Sequence, residues 1–192
     1  MEHLPHAKPE LRHYMRKRRQ ALSAAARDDA ALSVANHIES TPGWPSAVRV
    51  VLYLAADGEI DPTVIASRLR ENGKIPHLPI IQDDNSLRFA AWDANAPLSN
   101  NRFGIPEPMG KQVPAETLDI VLMPLVAWDM TGNRLGMGGG FYDRTLADCD
   151  NVLKVGLGFE FQRVSSLQAE SWDVRLDLIA TECALHECEG KS

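Results

Sequence analysis

Residues 136–140 (GMGGG) offer the most informative chemistry in the chain. Three consecutive glycines after a Gly-Met step leave a main chain without Cβ atoms, free to take positive φ and to approach a ligand closely. Where such a loop opens a helix, its N–H groups converge on an anion and the dipole adds positive potential. Arg134 before the loop and Arg144 after it point toward phosphate; a flexible hinge is the plainer alternative. No Gly-Lys-Ser/Thr follows, so this is not a Walker loop, and the GxGxxG spacing of a dinucleotide fold is absent.

Asp143 falls in the first turn after the glycines, where it would either cap the helix or hold Mg²⁺ beside phosphate oxygens. Asp173 or Asp177 could be a second ligand, or simply a solvated loop acid. Lys8, Arg12 and Arg16 share one face at i, i+4, i+8, and Lys17, Arg18 and Arg19 extend the charge. Such a run is a solvated face, a nucleic-acid patch, or a clamp for a nucleotide triphosphate. Glu59 follows Asp57-Gly58 directly after an expected strand end, where α/β folds place ligand contacts. Residues 103–108 (FGIPEP) form a rigid, apolar loop that walls a pocket or merely packs. The six histidines are scattered, and none pairs with a nucleophile as a hydrolase triad would require.

The elements that position these groups follow from the rest of the sequence. With 192 residues, 44% hydrophobic and 24% charged, the chain has the composition of one globular domain, residues 1–192. A basic helical segment spans about 8–40 and an α/β body about 47–185. Twenty Lys+Arg against 26 Asp+Glu give a net charge of −6, which opposes a polyanionic partner. Three cysteines without CxxC spacing make neither a disulfide framework nor a zinc site. The longest apolar run, residues 120–128, is far short of the roughly 18–20 residues that a membrane helix needs. With no apolar signal segment near the N-terminus, a cytoplasmic address is expected.

Pro9 is permitted in the first turn of an opening helix, and Ser23 caps a second. Residues 47–55 read as a buried strand, Asp61-Pro62 opens a helix, and Asn72-Gly73 closes it. Pro76 and Pro79 mark residues 74–81 as an edge or broken strand. A short strand at 87–92 precedes a long irregular connection, residues 93–117. Strands follow at 119–124 and 152–159, with a helix at 141–147 between them and a last strand at 176–180. Alternating strands and helices predict an α/β fold with a largely parallel sheet.

Taken together, these segments resemble the 5-formyltetrahydrofolate cyclo-ligase (methenyltetrahydrofolate synthetase) family along almost the whole chain. The match begins with residues 8–12 (KPELR), Arg16 and Arg19, and continues through Glu59-Ile60, Gly73-Lys74 and residues 103–108. Its most specific part is residues 133–144 (NRLGMGGGFYDR); residues 155–162, 173–177 (DVRLD) and Thr181-Glu182 complete it.

The resemblance implies a three-layer α/β sandwich around a mixed, mostly parallel sheet. It also implies ATP- and Mg²⁺-dependent closure of 5-formyltetrahydrofolate to 5,10-methenyltetrahydrofolate, with release of ADP and phosphate. The formyl oxygen would take the γ-phosphoryl group, and N10 would then attack that carbon. Position by position, Lys8, Arg12, Arg134, Leu135, Gly136, Met137, Gly138, Gly139, Gly140, Phe141 and Tyr142 would hold the nucleotide, with Arg134 stabilising charge on the transferring group. Leu54, Glu59 and residues 137–141 would meet the folate, and Asp143 and Asp173 would match the metal ligands. Met137 stands where the family usually has Arg or Tyr, and Phe141 where Tyr is commonest. Neither departure removes a phosphate or metal group, so activity is expected. The expected partner is a small folate, polyglutamylated or not, with no nucleic acid or membrane, on a monomer or weak dimer. An inactive folate- or nucleotide-binding homologue, or a nucleic-acid module using the basic helix, are the competing readings.

Overall fold

The computed structural model describes residues 4, 5 and 7–189. Two helices open it, α1 (Lys8–Gln20) and α2 (Ala24–Ile38), separated by Ser23, whose Oγ accepts the Ala26 N–H at 3.1 Å. Strand β1 (Arg49–Val51), helix α3 (Thr63–Glu71), β2 (Ile75–Ile81) and β3 (Leu87–Ala91) follow. Next come β4 (Leu98–Asn100), β5 (Pro106–Pro108), β6 (Gln112–Val113), β7 (Ile120–Pro124), β8 (Ala127–Trp128) and β9 (Arg134–Leu135). The chain then forms α4 (Phe141–Leu146), β10 (Leu153–Leu157), β11 (Leu178–Ala180) and β12 (Leu185–Glu187).

The main sheet runs β12-β11-β10-β7-β1-β2-β3-β6. From β11 to β2 the neighbours are parallel, while β12, β3 and β6 attach antiparallel. Side-chain alternation sets the layers: along β7, Ile120 and Leu122 belong to one core cluster, Val121 and Met123 to the opposite one. The first is covered by Val34 and Ile38 of α2 with Ile65 and Leu69 of α3. The second packs Leu146 of α4 against Phe89 and Ile179. Helix α1 instead lays Leu11 and Met15 on Val126, Ala127 and Leu135, the β8–β9 hairpin. No helix among the described residues is long and apolar enough to cross a membrane.

Three expectations about elements are corrected. Strand β2 is not an edge: it lies between β1 and β3. Its prolines sit where neighbouring ladders end. Pairing with β1 stops at His77, two residues before Pro79, and pairing with β3 stops at His77, one residue after Pro76. Pro76 still accepts the Trp92 N–H at 2.8 Å, and the Trp92 carbonyl, which a proline cannot serve, is taken by Arg70 Nη2 at 2.9 Å. Residues 93–117 are not wholly irregular, since they contain the β4–β5 hairpin and β6. Nor is β11 the last strand, because β12 adds to it in antiparallel register.

Strand order reverses between β1 and β7: β1 continues through α3 to β2 on one side, whereas β7 neighbours β10 on the other. Loops leaving the carboxyl ends of β1 and β7 diverge there, which is where open α/β sheets bind ligands.

Candidate active site

Asp129 builds the turn that delivers the glycine loop. Buried at the tip of the β8–β9 hairpin, its carboxylate accepts from the Thr131 N–H (3.0 Å) and hydroxyl (2.7 Å). It also accepts from the Asn133 N–H (3.1 Å) and side-chain amide (3.0 Å), and from the Leu167 N–H (2.7 Å). Burial alone would raise its pKa, but these donors hold it below the ordinary carboxylate value. Gly132 is required at φ +81°: a Cβ there would stand 2.5 Å from the Leu176 carbonyl oxygen. The hairpin pairs Arg134 with Trp128 and Leu135 with Ala127, which sends residues 136–140 across the crevice.

The loop is held lightly. Arg12 Nε donates to the Gly136 carbonyl at 2.8 Å, and its guanidinium lies beside Gly138, which takes φ +99°. Among the described residues, the N–H groups of residues 136–140 donate to no protein acceptor. Arg134 pairs its Nη2 with Asp143 Oδ1 at 2.6 Å and sits 5.8 Å from the Tyr142 ring centroid, while its buried Nε has no hydrogen-bond partner. Asp143 also accepts the Val174 N–H at 3.1 Å. Helix α4 spans only six residues, so the loop amides and the cations, rather than a helix dipole, supply the positive potential.

Opposite lies Glu59, whose side chain is 12% exposed. Its Oε2 accepts the Ala56 N–H at 3.1 Å, and burial raises its pKa above the usual carboxylate value. The buried Tyr53 hydroxyl donates to the Ile60 carbonyl at 2.7 Å, and burial pushes its pKa up, as it does for Tyr142. The Leu125 carbonyl, just beyond β7, accepts from Arg19 Nη1 (3.2 Å) and from Gln162 Nε2 (3.1 Å). It thereby joins α1 to the turn after β10.

Glycine loop, arginines and carboxylates all line one cavity of about 840 Å³. The site residues that the family resemblance implied are on its wall except Leu54, which packs partly buried against the α2–α3 side of the core. Lys8 reaches the wall and pairs with Glu170 at 3.4 Å. Asp173 lines the cavity and accepts the Glu170 N–H at 2.9 Å. Asp177 does not: its carboxylate accepts the Lys154 N–H at 2.7 Å. Phe103 stays off the wall but meets Phe141 edge-on, ring centroids 6.3 Å apart. Exposed Met137 and Trp172 complete the apolar part of the wall; Trp172 carried no signal in the sequence beyond its neighbour Asp173.

The basic run of α1 is only partly a solvated face: Lys17 is exposed, but the arginines that flank it are engaged. Arg16 pairs with Asp57 at 2.5 Å, Arg18 stacks 4.6 Å from the Phe161 ring centroid, and Arg19 is 1% exposed.

Such geometry defines a mixed α/β protein with a glycine loop, its amides unpaired, at the switch point of its sheet. The model of the 5-formyltetrahydrofolate cyclo-ligase family matches residues 5–182. The chain belongs to that family, and so to the ligase enzymes. It is 38% identical to the 5-formyltetrahydrofolate cyclo-ligase of Haemophilus influenzae, over 87% of this chain and 93% of that one. The Escherichia coli protein of the same name is 33% identical, over 90% of this chain and 99% of its own. In three dimensions it is similar to Aquifex aeolicus 5,10-methenyltetrahydrofolate synthetase, with TM-score 0.84 and 33% identity, covering 96% of this chain and 95% of that one.

Proposed function

We propose that the cavity takes ATP along residues 136–140 and 5-formyltetrahydrofolate against Glu59. The chain would close the folate to its 5,10-methenyl form and release ADP and phosphate. One observation carries this reading: a row of unpaired loop amides and the unpartnered Nε of Arg134 share a cavity with a buried carboxylate. Amides and guanidinium suit a polyphosphate; a carboxylate suits the N–H donors of a pterin.

Lys8 and Arg12 neutralise the phosphate chain, and Arg134 stabilises charge on the transferring group. The backbone of residues 138–140 approaches both ligands, with Met137 and the Phe141 ring on the folate side. Leu54 enters only as packing behind the Glu59 loop. Asp143 and Asp173, two carboxylates on one wall, fit the donor set with which Mg²⁺ accompanies a nucleotide. When bound, that ion supplies further charge neutralisation. The formyl oxygen takes the γ-phosphoryl group, N10 attacks the activated carbon, and phosphate leaves. The chain contributes position and charge in place of a nucleophile.

The test is the absorbance of the methenyl product formed from 5-formyltetrahydrofolate with and without ATP. Product that requires ATP is expected; no product in the presence of both substrates overturns the reading.

A further inference from the structure

Arg19 is the most deeply buried charge of α1, and nothing in the reaction so far uses it. Its Nε donates to the Asp57 carbonyl at 2.9 Å, its Nη2 to the Asp57 carboxylate at 3.0 Å, and its Nη1 to the Leu125 carbonyl at 3.2 Å. The same Nη2 stands 3.8 Å from Glu59 Oε1. Asp57 is also engaged by Arg16 and Gln20, so Arg19 is one of several groups that balance its charge. Backbone geometry makes the approach possible. Asp57 and Gly58 both take positive φ, and a Cβ at Gly58 would stand 3.1 Å from the Arg19 carbonyl oxygen. The loop carrying Glu59 is thus laid directly on the last turn of α1, with the guanidinium fork beneath it.

From this we infer that Arg19 is a positioning residue for the folate half of the reaction: it fixes the Glu59 carboxylate at the cavity wall and keeps it ionised to receive the pterin. The inference rests on the folate reading of Glu59 given above. Other charged or titratable groups around Glu59 are Arg16 from α1, Asp57 from its own loop, Tyr53 from the end of β1 and Tyr142 from α4. Both tyrosines are neutral through the working range, and Asp57 opposes ionisation of Glu59. Arg19 and Arg16 are therefore the cations that favour it; both also pair with Asp57, and Arg19 stands 3.8 Å from the Glu59 carboxylate. A buried carboxylate deprived of its cation takes up a proton at higher pH.

Steady-state kinetics of the full chain, run across pH with each substrate varied in turn, test this. Arg19→Gln is expected to raise the KM for 5-formyltetrahydrofolate about tenfold, to change the KM for ATP less than about twofold, and to move the acid limb of kcat/KM for the folate to higher pH. Arg19→Lys keeps the charge but loses the fork, so it returns the acid limb toward its original position while KM stays raised. Combined with Glu59→Gln, Arg19→Gln should cost little beyond Glu59→Gln alone. An unmoved acid limb, or losses that add in the double variant, overturns the role of Arg19 while leaving Glu59 in place. An unchanged folate KM in Glu59→Gln overturns the reading of Glu59 and this inference with it. If Arg19→Gln does not fold, Arg19→Lys decides: a folate KM raised in the parent chain but not on the Glu59→Gln background supports the inference, and equal rises overturn it.

Discussion

Glu59 and the glycine loop face the same cavity, yet one is gripped from behind and the other barely touched. The Glu59 loop has Arg19 beneath it, Asp57 pinned on both carboxylate oxygens, and a backbone amide on Glu59 itself. The loop at residues 136–140 has one guanidinium on its first carbonyl and a row of N–H groups that no protein atom meets among the described residues. The difference matches the two ligands proposed. A flat heterocycle is read by a fixed point, and fixing that point in advance lowers the entropy lost on binding. A polyphosphate is read by many weak, converging dipoles, which need backbone freed of side chains.

That contrast can be broken most directly at Arg134. Arg134→Ala removes one cation of the loop side and leaves Asp143 without its ion pair, so kcat/KM should fall by about 10²–10³ while folate binding persists; stopped assays alongside folate titration measure both. Next is Asp129→Ala, which strips the hairpin turn of five hydrogen bonds to one buried carboxylate. Urea denaturation should show a loss of about 3 kcal/mol. Because the folded-state pKa of Asp129 is lowered, this contribution is present above the unfolded value and disappears as pH falls through the folded one.

Gly138→Ala asks an L-residue to hold φ +99°, which costs about 1–3 kcal/mol or moves the amides out of line. The KM for ATP should rise about tenfold with the folate KM unchanged. The mildest perturbation is pH itself. Burial raises the Glu59 pKa, so folate affinity should begin to fall at a pH above that of an ordinary glutamate and keep falling as acid is added. Nucleotide affinity should not follow it over that step; isothermal titration with each ligand separates the two walls.

Much of the loop side was legible because its information is local. A run of glycines between two arginines, with an acid one turn on, states its chemistry in twelve consecutive residues, and β7 states its two buried faces by an unbroken apolar run. The grip on Glu59 was not legible. Arg19 looks like one more cation in a basic helix, and only the packing of a loop 38 residues away turns it inward. The prolines of β2 misled for the same reason: whether a missing N–H matters depends on how far the neighbouring strands extend. Strand β12, with Leu185 and His186 half-buried and Glu187 exposed, is too short to show an apolar pattern and pairs along the edge that β11 offers.

The shared carbonyl of Leu125 has an evolutionary corollary. Since a single oxygen receives both Arg19 and Gln162, the first helix and the turns behind β7 and β10 form one interlocked unit. A chimaera that borrows any of those turns from a distant homologue should work only if the donors at 19 and 162 travel with it, so these separated positions are expected to drift together or not at all.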